Sequence, residues 1–177
     1  MRRTLGSLAR SEVTNRGVPK PIADQAHTAE LSMWIPFDAN ILNGADAYNF
    51  RSTATTGVAI GLDLQSPYAP IDELRKAIAE LKMLRPYWLG DYYPLTPINL
   101  EPDAWCGWQF NRPDLHGGFA MFFRRPKSAK TSYEAMLQGI DPKASYDVSF
   151  AETYDATSKR VMTGSELAHL RLDINQT

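Results

Sequence analysis

Three polar side chains in one short stretch of the sequence have the chemistry of a ligand or catalytic site. Asp38 and Asn40 lie just past the apolar run LSMWI, where the loop after a strand places polar groups for contact with a ligand. His27 precedes that run, and a histidine can act as an acid, a base or a metal ligand. No second histidine or carboxylate lies at metal-ligand spacing from His27, so we predict no metal site and favour a structural role for it.

Other motifs that carry chemistry are missing from the sequence. It contains no glycine-rich phosphate loop, no Ser/His/Asp arrangement at motif spacing and no zinc-ligand spacing. The single cysteine, Cys106, cannot form an internal disulfide or a cysteine metal cluster. These observations argue against a nucleotide-binding protein, a serine hydrolase and a zinc protein, and we expect no cofactor.

Composition and charge exclude further classes of protein. The chain has 177 residues and is 44% hydrophobic, which suits a packed core in one domain or two small ones. A net charge of -1 gives no field that would attract nucleic acid or anionic lipid, so neither is an expected partner. Neither a signal peptide nor an apolar run of about 20 residues is found, so we expect no membrane span and a cytoplasmic location by default.

One segment has a clear helical pattern. Acidic residues begin the segment 70–85, basic residues end it, and Pro86 follows. Its apolar residues recur at helical spacing and are Ile71, Leu74, Ile78, Leu81 and Leu84. The pattern predicts an amphipathic helix over residues 70–85.

The rest of the first half is predicted from glycine, proline and apolar runs. Glycine and two prolines within residues 11–28 predict a long polar loop. Residues 31–35 form a short apolar run, which predicts a buried strand, and residues 37–50 are predicted to be another loop. Residues 53–64 fit either a strand or a tightly packed helix.

The second half of the chain has the pattern of a β protein. After a segment with three prolines, LGDYYPLTPINLEPD, short apolar runs alternate with turn sequences at a spacing of roughly 10 to 15 residues. This spacing favours an antiparallel β-sandwich. We therefore expect an α/β part over residues 1–90 and an all-β part over residues 91–177.

Several blocks of the sequence, in this order along the chain, resemble a known family. They are RRTLGSLARSE, QAHTAELSMWIPF, AYNFRS, RPYWLGDYYPLTP, AWCGWQFNRPDLHGGFAMFFRRP and LQGIDPKASYDV. The chain resembles the melibiase-like α-galactosidases of glycoside hydrolase family thirty-six. The resemblance implies that residues 1–90 are the C-terminal end of a catalytic (β/α)₈ TIM barrel and that residues 91–177 are a C-terminal antiparallel β-sandwich, both truncated.

The resemblance also implies an activity, the retaining hydrolysis of terminal α-galactosides or oligosaccharides. Glu12 takes the place of the family's acid/base carboxylate, which follows an Arg-Ser pair as an Asp in the family. The family's nucleophile would lie upstream of Met1. The resemblance therefore implies a fragment that is inactive alone and that has the missing N-terminal part of the barrel, or a second copy of itself, as its partner.

Substrate-binding residues are implied less directly. Asp38 and Asn40 are candidates for polar contact with the sugar, and Trp34 for a position near it, although core packing is an alternative use of that indole. The competing hypothesis for the whole chain is a non-catalytic carbohydrate-binding or assembly module, in which residues from about Leu89 onward form a β-sandwich of their own.

Overall fold

Four α-helices and nine β-strands make up the part of the chain that the computed structural model describes, residues 17–175. In chain order these elements are α1 (Lys20–Leu31), β1 (Ala39–Leu42), α2 (Ala47–Thr53), β2 (Gly57–Ile60), α3 (Ile71–Leu84), β3 (Asp91–Pro94), β4 (Trp105–Arg112), β5 (Gly117–Arg124), β6 (Ser132–Ala135), β7 (Ser145–Ala151), β8 (Thr157–Thr163), α4 (Gly164–Ala168) and β9 (Leu170–Asp173). Two short 3₁₀ helices, Tyr87–Leu89 and Pro113–Leu115, precede β3 and β5.

Local sequence explains where the helices begin and end. The α2 helix is capped by Asp46, whose Oδ1 accepts a hydrogen bond of 3.0 Å from the backbone N–H of Asn49. The predicted amphipathic helix is confirmed as α3, with acidic residues in its first turn and Lys82 in its last. Of the helices within residues 17–175, none is both long and apolar enough to cross a membrane.

The predicted loop over residues 11–28 and the predicted strand over residues 31–35 are both wrong within the described part of the chain. The α1 helix occupies most of this region and ends at Leu31, and the residues just after it form a turn. Pro21 lies in the first turn of α1, where its missing N–H removes no hydrogen bond from the helix. The prolines therefore mark the start of a helix and do not exclude one.

The two strands of the first half form a small parallel sheet. β1 pairs with β2 in parallel, with Ala39 opposite Gly57 and Leu42 opposite Ile60. The α2 helix connects them, so the loop predicted over residues 37–50 is wrong and contains β1 and the start of α2. The segment 53–64, for which strand and helix were both open, contains β2.

The predicted fold class is wrong, beginning with the barrel. A (β/α)₈ barrel needs eight parallel strands hydrogen-bonded in a closed ring, each followed by a helix. Among residues 17–175, β1 and β2 are the only strands that pair in parallel, and their sheet has two strands. The chain is instead a small mixed protein with four helices and several small sheets over its described residues.

The sandwich part of the prediction also differs from the structure. The strands after residue 90 are antiparallel, but they form three separate sheets in the described part of the chain: β3–β4–β5, β6–β9 and β7–β8. β4 is the central strand of the largest sheet, and nearly all of its residues are buried. The short β6 and β9 pair only with each other, so the turn spacing alone did not give the number of sheets.

One hydrophobic cluster joins the two halves of the chain. Phe50 and Leu74, from the helices, share this cluster with Trp108 and Phe123 of the β4–β5 pair. Trp108 and Phe123 lie with their ring centroids 5.2 Å apart. The hydrophobic core therefore extends across the predicted boundary at residue 90. The division of the chain into two domains there stays a prediction.

Candidate functional site

A cluster of polar side chains lies where α1 meets β1. Oδ1 of Asn40, on β1, accepts a hydrogen bond of 3.4 Å from Nδ1 of His27 on α1. The Nδ2 group of the same side chain donates to Oγ1 of Thr28 at 3.5 Å. His27 and Thr28 are consecutive residues of α1, so a single amide links the helix to the first strand. Asp38 belongs to this cluster through its charge interaction with His27.

Asp38 is fixed from both sides by the loop before β2. Its backbone N–H donates to Oγ1 of Thr56 at 3.0 Å, and its carbonyl oxygen accepts from Thr55 Oγ1 at 2.9 Å and Thr56 Oγ1 at 3.0 Å. The residue is 4% exposed. The main chain at Asp38 is thus held while its carboxyl group is enclosed by protein.

Burial changes the acidity of this carboxyl group. Loss of solvent raises the pKa of Asp38 from an ordinary value of 3.8 to about 6, and the positive charge of His27 partly opposes that rise. Its Oδ2 is buried and, within residues 17–175, has no hydrogen-bond partner; the same holds for Nε2 of His27. Asp38 therefore carries a carboxyl group that changes its protonation near pH 6.

A cleft opens beside Asp38. It has a volume of about 280 Å³ and is lined by Phe37, Thr56, Arg85 and Leu89. Phe37 precedes Asp38 in the chain, and Thr56 is hydrogen-bonded to the backbone of Asp38, so two of the lining residues adjoin Asp38. None of these four lining side chains is a carboxylate.

The walls of the cleft expose apolar surface to solvent. Phe37 is 48% exposed and Leu89 is 57% exposed, and both are large apolar side chains. Trp34 lies in the same connection between α1 and β1 and is 78% exposed. Exposed rings beside a polar group are the surfaces on which sugar rings stack, because one sugar face is apolar while its rim carries hydroxyl groups.

The structure distributes the predicted site residues unevenly. Asp38 and Asn40 lie in one buried cluster, Asn40 within β1 and Asp38 immediately before it, so neither follows a strand as predicted. Trp34 is neither on a strand nor in the core; it lies in the turn after α1 and faces solvent. Glu12 lies outside the described residues.

The sequence interpretation missed all four residues that line the cleft. They come from three separate segments of the chain, and no local spacing connects them. The pattern around Arg85 and Pro86 indicated the end of a helix, which it is, but not a neighbouring loop at residue 37. Only the packing of the α3 end against the α1–β1 connection brings these residues together.

The described residues offer no evident metal centre. In residues 17–175 no group of three or more His, Cys, Asp or Glu side chains is arranged to hold a metal ion. Comparison of the chain with protein-family models, with curated proteins and with solved structures found no match. The family resemblance drawn from the sequence blocks therefore enters below only as a proposal.

Proposed function

We propose that the chain binds carbohydrate at the cleft formed by Phe37, Thr56, Arg85 and Leu89, as part of a glycoside hydrolase that acts on terminal α-galactosides. The observation that carries the proposal is that two half-exposed apolar side chains, Phe37 and Leu89, line this cleft. An aromatic wall offers a stacking surface for the apolar face of a sugar ring. The sequence blocks that resemble α-galactosidases supply the substrate class.

The chemistry of the lining residues assigns binding rather than bond cleavage to this cleft. Retaining hydrolysis uses two carboxyl groups about 5 to 5.5 Å apart, one as nucleophile and one as acid/base. None of the described residues that line the cleft carries a carboxyl group. Glu12 remains the proposed proton donor by resemblance, and the nucleophile would have to come from elsewhere. We therefore expect the chain alone to bind the sugar and to turn it over slowly or not at all.

Binding and turnover are measured together on the full chain. We expect galactose and melibiose to change the tryptophan fluorescence and to give a saturable heat in titration calorimetry. Phe37→Ala should weaken binding about tenfold because it removes the stacking face. Leu115→Ala removes an exposed apolar side chain from the second 3₁₀ helix and is the matched control, for which we expect unchanged binding.

A nitrophenyl α-galactoside assay on the same samples separates the roles. Binding without turnover supports the binding role, whereas turnover that Glu12→Gln abolishes would extend it to catalysis by this chain. The proposal is overturned if neither sugar binds, or if Phe37→Ala and Leu115→Ala weaken binding equally. If glucose and mannitol bind as tightly as galactose, the assignment of galactosides as the substrate class is wrong.

A further inference from the structure

Among the described residues that line the cleft, Arg85 is the one that carries a charge. It follows the last residue of α3, and its backbone N–H donates to the carbonyl oxygen of Leu81 at 2.9 Å. Pro86 comes next and prevents the helix from continuing. The backbone of Arg85 is thus fixed by the end of a helix, while its side chain is exposed beside Phe37 and Leu89.

Among the arginines of the described part of the chain, Arg85 differs from the others because its guanidinium group has no partner there. Eight arginines lie within residues 17–175, and seven of them make a hydrogen bond, an ion pair or a contact with an aromatic ring. Those seven are Arg51, Arg75, Arg112, Arg124, Arg125, Arg160 and Arg171. The guanidinium group of Arg85 makes none of these contacts with the described residues, and the side chain is exposed where it lines the cleft.

The buried carboxyl group of Asp38 does not pair with this charge. The charged side chain that lowers the pKa of Asp38 is His27, on α1, and not Arg85. Thr56, the other polar residue of the lining, already uses its hydroxyl group on the backbone of Asp38. Among the side chains of the described lining residues, the guanidinium group is therefore the polar group that is available to a ligand.

We propose that the cleft selects saccharides that carry a carboxylate, namely hexuronic acids, and that Arg85 binds that carboxylate. This inference rests on the proposed carbohydrate-binding function and specifies its ligand class. A guanidinium fork matches the two oxygens of a carboxylate, and this pairing is stronger than a hydrogen bond to a neutral hydroxyl. Phe37 and Leu89 supply the apolar walls for the sugar ring. The volume of about 280 Å³ restricts the occupant to a small ligand.

The test is a calorimetric titration of the full chain with galacturonate, galactose and acetate. We expect galacturonate to bind at least tenfold more tightly than galactose, and acetate to bind no better than galactose. Arg85→Met keeps the apolar stem and removes the charge, so it should lower the affinity for galacturonate to that for galactose and change galactose binding less than twofold. Arg75→Met, on the exposed side of the same helix, is the control and should behave as the wild type.

Each result decides between the two proposals. If galactose binds and galacturonate binds no more tightly, the preference for a carboxylate is wrong and the carbohydrate-binding function stands. If acetate equals galacturonate, or if both arginine variants lose affinity alike, the site recognises charge only and the inference is overturned. If neither sugar binds, both proposals fail. Equal unfolding midpoints of the wild type and both variants show that the comparison is made on folded protein.

Discussion

Asp38 shows how the burial of a single side chain couples stability to pH. Its carboxyl group is enclosed beside His27, with Oδ2 lacking a hydrogen-bond partner in the described chain. Ionisation in that position is unfavourable, which is why the pKa of Asp38 rises to about 6. Between pH 3.8 and about 6 the folded protein holds a proton at this carboxyl group that the unfolded chain has released.

We therefore expect Asp38 to make the protein less stable as the pH rises from 4 to 7. Asp38→Asn removes this titration. The unfolding free energy of the variant minus that of the wild type should therefore increase by about 2 kcal/mol between pH 4 and pH 7. Urea unfolding of both proteins at pH 4, 5, 6 and 7 measures this difference. Stability curves that stay parallel across these pH values would show that Asp38 titrates normally.

At the scale of elements, Arg51 connects three parts of the structure. Its Nε and Nη2 atoms donate to the two carboxylate oxygens of Glu80 on α3 at 2.8 and 2.9 Å. Its Nη1 atom donates to the carbonyl oxygens of Ala151, the last residue of β7, and of Glu152, the next residue, at 2.8 and 2.9 Å. Both charged side chains are largely buried, at 14% and 13% exposure. The α2 helix is thus tied to α3 and to the turn of the β7–β8 hairpin.

Loss of Arg51 should be destabilising. Arg51→Met leaves the carboxylate of Glu80 and the carbonyl groups of Ala151, Glu152 and Thr153 without this donor, and we expect a loss of about 2 to 4 kcal/mol in unfolding free energy. Lys76→Met is the matched control, because Lys76 pairs with Asp155 and joins the same helix to the same turn at the exposed surface. Urea unfolding should show a lower midpoint for Arg51→Met alone. Equal shifts for both variants would contradict this account.

At the scale of the whole molecule, the two halves of the chain depend on each other. Apart from the shared hydrophobic cluster, polar groups cross the boundary at residue 90. Nε of the buried Arg125 donates to Oε1 of Gln25 on α1 at 3.0 Å, and the hydroxyl group of Tyr92 donates to the carbonyl oxygen of Ala29 at 2.7 Å. A buried charge that loses such a partner is strongly destabilising.

We accordingly expect residues 91–177 not to fold when produced alone. Trp108 is fully buried, and separation from the helices would expose apolar surface at a cost of about 25 cal/mol for each Å². Circular dichroism during urea titration should show a gradual change for this segment and a cooperative transition for the full chain. A cooperative transition in the segment would instead favour an independent β module, as the competing hypothesis requires.

The sequence by itself determined those elements whose signals are local. The amphipathic helix α3 follows from a repeat of apolar residues with complementary charges at its ends, and β4 and β5 follow from short apolar runs bounded by turn residues. Helix α1 was not predicted because prolines occur both in loops and in the first turn of a helix. Only the three-dimensional structure of the residues that follow distinguishes the two cases.

Only the tertiary structure decided what these elements build. Four short sheets replace the predicted barrel and sandwich in the described residues, because strand partners are chosen by packing across long separations in sequence. Likewise, Asp38 and Asn40 were selected from the sequence, but Arg85 was not, because it reaches Phe37 through the packing of α3 against a distant loop. Burial, which gives Asp38 its raised pKa, is a property of the packed molecule and not of any segment.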